Sequence, residues 1–99
     1  MNMSYGLIGK LTAVPGERET LLAILLEAAT AMEREPTCAA YRVNVSLDDE
    51  SIVVYEVWES IEAHQQSLSL ETTQTLIGKA KPILANIERL AVFEPRNGH

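Results

Sequence analysis

The sequence predicts an α+β fold in which strands and helical regions alternate as β-α-β-β-α-β. Three observations predict it. Two segments rich in β-branched and aromatic residues, 38–47 and 52–59, flank the acidic turn Asp48-Asp49-Glu50, as in an antiparallel hairpin. An apolar stripe of helical period precedes that hairpin, and a broken helical pattern follows it. One further strand-like segment opens the chain and another closes it.

Residues 5–14 read as the first strand, with Leu7, Gly9, Leu11 and Ala13 on one face and Ile8, Lys10, Thr12 and Val14 on the other. Glycine inside a strand admits the close approach of a ligand or another backbone. Pro15-Gly16 stops the strand. Residues 17–35 form the clearest helix. Leu21, Leu25, Ala28 and Met32 make its stripe, Leu22 and Ala29 widen it, and Glu17 and Glu19 complement the positive end of its dipole. Pro36 ends it, because the residue before a proline is pushed out of the α region. In the second strand Tyr41, Val43 and Val45 alternate with Ala40, Arg42, Asn44 and Ser46. In the third, Glu56 and Trp58 share a face, and Tyr55 and Val57 the opposite one. Ser60 is a natural N-cap for a helix over residues 60–68. After the polar break Ser69-Leu70-Glu71-Thr72, helical spacing resumes at Leu76, Ile77 and Ala80, and Pro82 kinks or ends that helix. Residues 87–94 read as the last strand and residues 96–99 as a frayed tail.

This order is the split βαβ, ferredoxin-like arrangement. Ninety-nine residues make one domain, with its core over residues 5–95. Helices on one side of the sheet leave the other side uncovered, and a chain this short gains from burying it. A homodimer is therefore expected, with Val43, Val45, Tyr55 and Val57 facing the second copy and Tyr41 and Tyr55 as cross-strand neighbours in the interface.

Eight basic against fourteen acidic residues give a net charge of −6. That balance argues against nucleic acid, which needs clustered Lys and Arg, and against anionic membrane surfaces. No apolar run approaches membrane-spanning length. No secretory signal pattern is visible, and the single Cys38 excludes an internal disulfide, which together fit a reducing, cytoplasmic setting. Cys38 itself reads as a small hydrophobe at a strand start. One cysteine and one internal histidine do not make a metal-ligand set, and no glycine-rich nucleotide fingerprint occurs, so no metal, flavin or haem is expected.

Chemistry concentrates in Tyr55-Glu56-Val57-Trp58-Glu59-Ser60-Ile61-Glu62-Ala63-His64, which holds the sole Trp and spans a strand-to-helix junction. A carboxylate beside an indole on a buried strand is costly unless it borders a polar cavity or finds partners. Trp58 reads as core filler or as a flat wall for an aromatic ligand. His64 is the one internal group that titrates near neutral pH, hence the candidate base; as a partly exposed helix residue it would merely bond locally. Glu56 is a structural partner of Arg42, Lys10 or a backbone amide, or else a second candidate base, and is counted with the substrate-binding residues. Arg42 and Asn44 share a strand face, either solvated or serving as polar anchors for a phenol or quinone oxygen, with Asn44 orienting that oxygen.

Three segments carry a resemblance, over about residues 5–95, to the antibiotic biosynthesis monooxygenase family, whose small members dimerise as an α+β barrel. They are Val14-Pro15-Gly16-Glu17, Glu35-Pro36-Thr37-Cys38-Ala39-Ala40-Tyr41, and Glu56-Val57-Trp58-Glu59-Ser60 followed by Ala63-His64; Glu94-Pro95 closes the last strand in the same style. The resemblance implies oxidation of a phenol, quinol or polycyclic aromatic by O₂ without metal or flavin. An electron-rich phenolate reduces O₂ directly, so the protein need only bind, deprotonate and exclude water. The chain departs from the family pattern at Thr37, often Gly there, and in Ser67-Leu68-Ser69-Leu70-Glu71, which lacks a second His. The positions matching the Asn and His of haem-degrading relatives are Gly9 and Leu68, which disfavours haem chemistry. The alternative is a non-catalytic small-ligand-binding or dimerisation module of the same fold.

Overall fold

The computed structural model describes residues 4–97. The end of the expected tail, with His99, lies outside the described residues. The elements are β1 (Tyr5–Ala13), α1 (Arg18–Met32), β2 (Cys38–Val45), β3 (Ile52–Trp58), α2 (Ile61–Ser67), α3 (Glu71–Ala80), a 3₁₀ turn (Lys81–Ile83) and β4 (Leu84–Phe93). The strands form one antiparallel sheet in the order β2-β3-β1-β4, the ferredoxin-like order, with β1 and β3 central.

Local chemistry explains most boundaries. Gly16 takes φ 85°, the left-handed region where a Cβ is strained, and lets β1 turn into α1. The Ser60 hydroxyl accepts the Ala63 N–H at 3.0 Å, capping α2 as its residue type requires. At the β2–β3 turn the Ser46 hydroxyl accepts the N–H groups of Asp48 and Asp49, and Asp49 accepts the Ser51 N–H at 2.8 Å while pairing with Lys10 at 2.9 Å. The Ser51 hydroxyl also donates to Asp49, and with Lys10 and the Ser51 N–H it holds that carboxyl well below the usual carboxylate range. Pro82 falls in the first turn of the 3₁₀ segment, where its missing N–H costs nothing. The last strand begins at Leu84, three residues before the expected Ile87, because Leu84 pairs with Ala13 of β1. Ala85 and Asn86 have little strand preference of their own, so pairing overrides propensity there.

One expectation about faces is overturned. Six residues separate β2 from β3, and the register runs Val45↔Ile52, Val43↔Val54, Tyr41↔Glu56. A loop with an even number of residues sets odd positions of one strand opposite even positions of the other. Tyr41 and Val43 therefore face the helices with Glu56 and Val54, and are not interface residues. Tyr55 stands opposite Arg42, not Tyr41, and stacks on Phe93 at 5.8 Å on the outer face.

The inner face packs on α1 through Leu21, Ile24, Leu25 and Met32, all buried, with Leu21 wholly so. The core is divided. One cluster joins Tyr5, Leu7, Met32, Trp58 and Ala63; the other joins Leu21, Leu25, Ile52 and Val54. Between them the sheet and helices do not meet. The outer face carries Ile8, Val53, Tyr55, Val57 and Phe93, all half-buried by one another and none covered by a helix. No helix among the described residues is long and apolar enough to cross a membrane.

Candidate functional site

The space between the two core clusters is a cavity of about 570 Å³, within the range of small-ligand sites. Its floor is the inner face of the sheet, where Gly9 omits a side chain between Leu7 and Leu11. A Cβ built at Gly9 would meet only the Glu88 carbonyl oxygen at 3.8 Å, so the gap is open space rather than a close backbone approach. Its roof is Ile24, Leu25, Ala28 and Met32 of α1 with Leu76 and Ile77 of α3. The lining is mainly aliphatic, which suits a flat apolar ligand.

Polar groups gather at one end. β3 alternates so that Glu56 and Trp58 point into the cavity, and the Ser60 cap starts α2 so that His64, one turn in, comes back over them. Trp58, 1% exposed, donates its indole N–H to Glu56 Oε1 at 2.9 Å. His64 Nε2 lies 3.9 Å from the same oxygen, an ion-pair distance beyond hydrogen-bond reach. The imidazole packs edge-on to Trp58 at 5.6 Å and against the Tyr5 ring at 5.4 Å. Burial lowers the His64 pKa below that of free imidazole, and the Arg89 charge adds to this. Burial raises the Glu56 carboxyl, with the Trp58 hydrogen bond opposing. Both groups are thus driven toward their uncharged forms. Burial and then Glu56 also push the neighbouring Tyr41 hydroxyl above its ordinary range, which keeps it a neutral phenol.

The site thus brings together His64, Trp58 and Glu56 as the sequence places them, at the wall where a costly carboxylate was expected to need partners. It does not bring Arg42 or Asn44. Both are exposed on the outer face of β2, and the Asn44 side-chain amide donates to the Val53 carbonyl oxygen at 3.0 Å. The sheet stands between Asn44 and His64, so Asn44 cannot orient an oxygen that His64 deprotonates, and Arg42 cannot anchor it. Tyr41, Thr73 and Arg89, which sequence reasoning passed over, line the cavity instead. Tyr41 was legible from the even loop; Arg89 was not, for a reason given below. Cys38 is half-buried beside the first core cluster, and burial pushes its thiol up to about 11, the behaviour of a packing residue. Among the described residues no group of three or more His, Cys, Asp or Glu is placed to hold a metal ion.

Fold and cavity together define a small ferredoxin-like domain with a partly open, mainly apolar cavity between sheet and helices. The antibiotic biosynthesis monooxygenase family matches residues 4–78, well over half of the chain, and the chain belongs to that family. A crystal structure of a candidate antibiotic biosynthesis monooxygenase from Chloroflexus aurantiacus is 42% identical, with TM-score 0.86 and coverage of 97% of this chain and 96% of that one. A candidate of the same kind from Nitrosomonas europaea shares the fold at TM-score 0.87 with 14% identity, over 96% of this chain and 92% of that one. One from Caulobacter crescentus does so at 0.81 with 21% identity, over 90% and 89%. No curated protein matches the chain.

Proposed function

We propose that the protein is a cofactor-independent monooxygenase acting on a small phenol, quinol or polycyclic aromatic within the sheet–helix cavity. The observation that carries this reading is the largely apolar cavity of about 570 Å³ whose polar end joins an uncharged-leaning imidazole to a buried indole and carboxyl. A planar substrate lies along the aliphatic lining with its hydroxyl toward His64. The neutral imidazole takes the phenolic proton, with the Glu56 carboxyl 3.9 Å from its Nε2. The resulting phenolate or enolate is electron-rich enough to reduce O₂, and the new C–O bond forms on the substrate ring. Loss of water then leaves a carbonyl. The substrate gives up four electrons, one oxygen atom stays in the product and the other leaves as water. Trp58, held by Glu56, supplies a rigid wall that fixes the ring.

The working form we propose is a homodimer, with Ile8, Tyr55, Val57 and Phe93 of each copy buried against the other. An apolar sheet face without a helix over it supports this.

An oxygen-electrode screen of hydroquinones, naphthols and anthrones with chelator-treated protein tests the activity. Uptake of one O₂ per substrate lost is expected. Saturable binding without uptake would turn the reading to a ligand-binding module of the same fold.

A further inference from the structure

Arg89 lines the cavity and has no part in the activity above. It lies on β4 directly opposite Gly9, where the floor has no side chain. Its place there depends on a β-bulge. Ile8 of β1 pairs with Ala91, yet the next residue, Gly9, pairs with Arg89, so Leu90 is an extra residue in β4. In a regular ladder Leu90 would oppose Gly9 on the inner face and Arg89 would point to the outer one. The bulge reverses this and aims a guanidinium into the site, a recognised use of bulges beside functional sites. No simple alternation along β4 gives that result, which is why the sequence did not reveal it.

The guanidinium is unpaired. Among the described residues it has no ion-pair or hydrogen-bond partner, although the chain has fourteen acidic residues. Its neighbour Glu88 pairs across the strands with Lys10 and contributes to the field around that lysine. Lys81, likewise without an ion-pair partner, adds a second positive charge to the lining. Two carboxyl residues share the lining: Glu56, satisfied by Trp58 at the far end, and Glu88, next to Arg89 and opposite Lys10. In a chain of net charge −6, the lining thus carries as many cations as carboxyls, Arg89 and Lys81 against Glu56 and Glu88, and Arg89 is the cation set on the floor opposite Gly9.

Resting on the assignment of the cavity as the substrate site, we infer that the substrate binds as an anion, an aromatic that carries, apart from the hydroxyl offered to His64, a carboxylate or a second, ionised phenol oxygen held by Arg89. A planar guanidinium with no internal partner offers parallel N–H donors to such an oxygen pair, and Arg89, exposed at the open side of the cavity, can meet the anion as it enters from solvent.

Isothermal titration of 2-naphthoate and its neutral isostere 2-naphthamide into wild-type, Arg89→Gln and Arg89→Lys proteins tests this. Wild type is expected to prefer naphthoate at least ten-fold. Arg89→Gln should erase the preference while leaving naphthamide affinity unchanged, and Arg89→Lys should keep part of it. Titration of 4-nitrophenol on both sides of its own pKa separates the sources of the anion. Affinity that rises with its ionisation in wild type but not in Arg89→Gln assigns Arg89 to a phenolate; a preference confined to naphthoate assigns it to a carboxylate substituent. Equal binding of naphthoate and naphthamide by wild type, or a preference that survives Arg89→Gln, overturns the inference and leaves the monooxygenase reading standing. Binding of neither ligand overturns the cavity assignment as well.

Discussion

Glu56 sits where a carboxylate is costly, on a central strand with its side chain in a mainly aliphatic cavity, and the structure gives it one direct hydrogen bond, from Trp58. Its raised pKa is a statement about stability. The folded state binds a proton more readily than the unfolded chain, so the protein loses stability as pH rises from the ordinary carboxyl value through the raised one. Glu56→Gln keeps an oxygen to accept the Trp58 N–H and removes the ionisation. The variant should therefore melt no lower than wild type near pH 7 and more nearly equal to it below about pH 4, where both side chains are neutral in both states. Thermal melts at the two pH values check this. His64 carries the opposite sign. Its lowered pKa keeps the imidazole unprotonated at pH values where free histidine is half charged, so activity should persist through about pH 6.5 and fall only below it. His64→Ala should cost at least about 100-fold in kcat near neutral pH, the lower range for a positioned base, with partial recovery as the substrate ionises at higher pH. A pH–rate profile of wild type and variant reads both effects.

At the scale of elements, the proposed site depends on two backbone features. The first is Gly9, whose missing side chain opens the cavity floor. Valine there meets no atom closer than ordinary contact at its Cβ and suits a strand, so Gly9→Val should fold at least as stably as wild type. It should also bind naphthoate at least ten-fold more weakly, since its methyl groups fill the floor; calorimetry and a thermal melt together distinguish a filled site from a damaged fold. Gly6 has the opposite character, because a Cβ there would run into the Phe93 ring that stacks on Tyr55. The second feature is the β2–β3 register. The strands, the Ser60 cap and the acidic turn were legible because each rests on local chemistry: alternation, a hydroxyl before a helix, and side chains that accept turn amides. The faces of β2 were legible only by counting the loop, and a parity reading that ignored it sent Tyr41 to the wrong side and Asn44 into the site. The early start of β4 and the aim of Arg89 depend on pairing with β1, which no local pattern in residues 84–90 records.

At the scale of the molecule, the sheet has one face closed by helices over a cavity and one face apolar and open. The helix-covered face holds the cavity and the proposed chemistry; the open apolar face is where the proposed second copy would bury most. Light scattering at micromolar concentration should give twice the chain mass. Val57→Glu, which sets a charge at the centre of the open face opposite Gly6, should give a folded monomer with unchanged far-ultraviolet circular dichroism. A stable wild-type monomer would remove the dimer from the account while leaving the proposed chemistry standing, because His64, Glu56, Trp58 and Arg89 line the cavity within a single chain.

The central claim is that the cavity delivers a deprotonated aromatic to O₂ and that the oxygen ends on the substrate. Turnover of an active naphthol or anthrone under ¹⁸O₂, with mass analysis of the product, tests it most directly. The account predicts one labelled oxygen per product molecule in wild type, formed at least about 100-fold more slowly by His64→Ala. Product without label, or labelled product formed as fast by His64→Ala as by wild type, would contradict it.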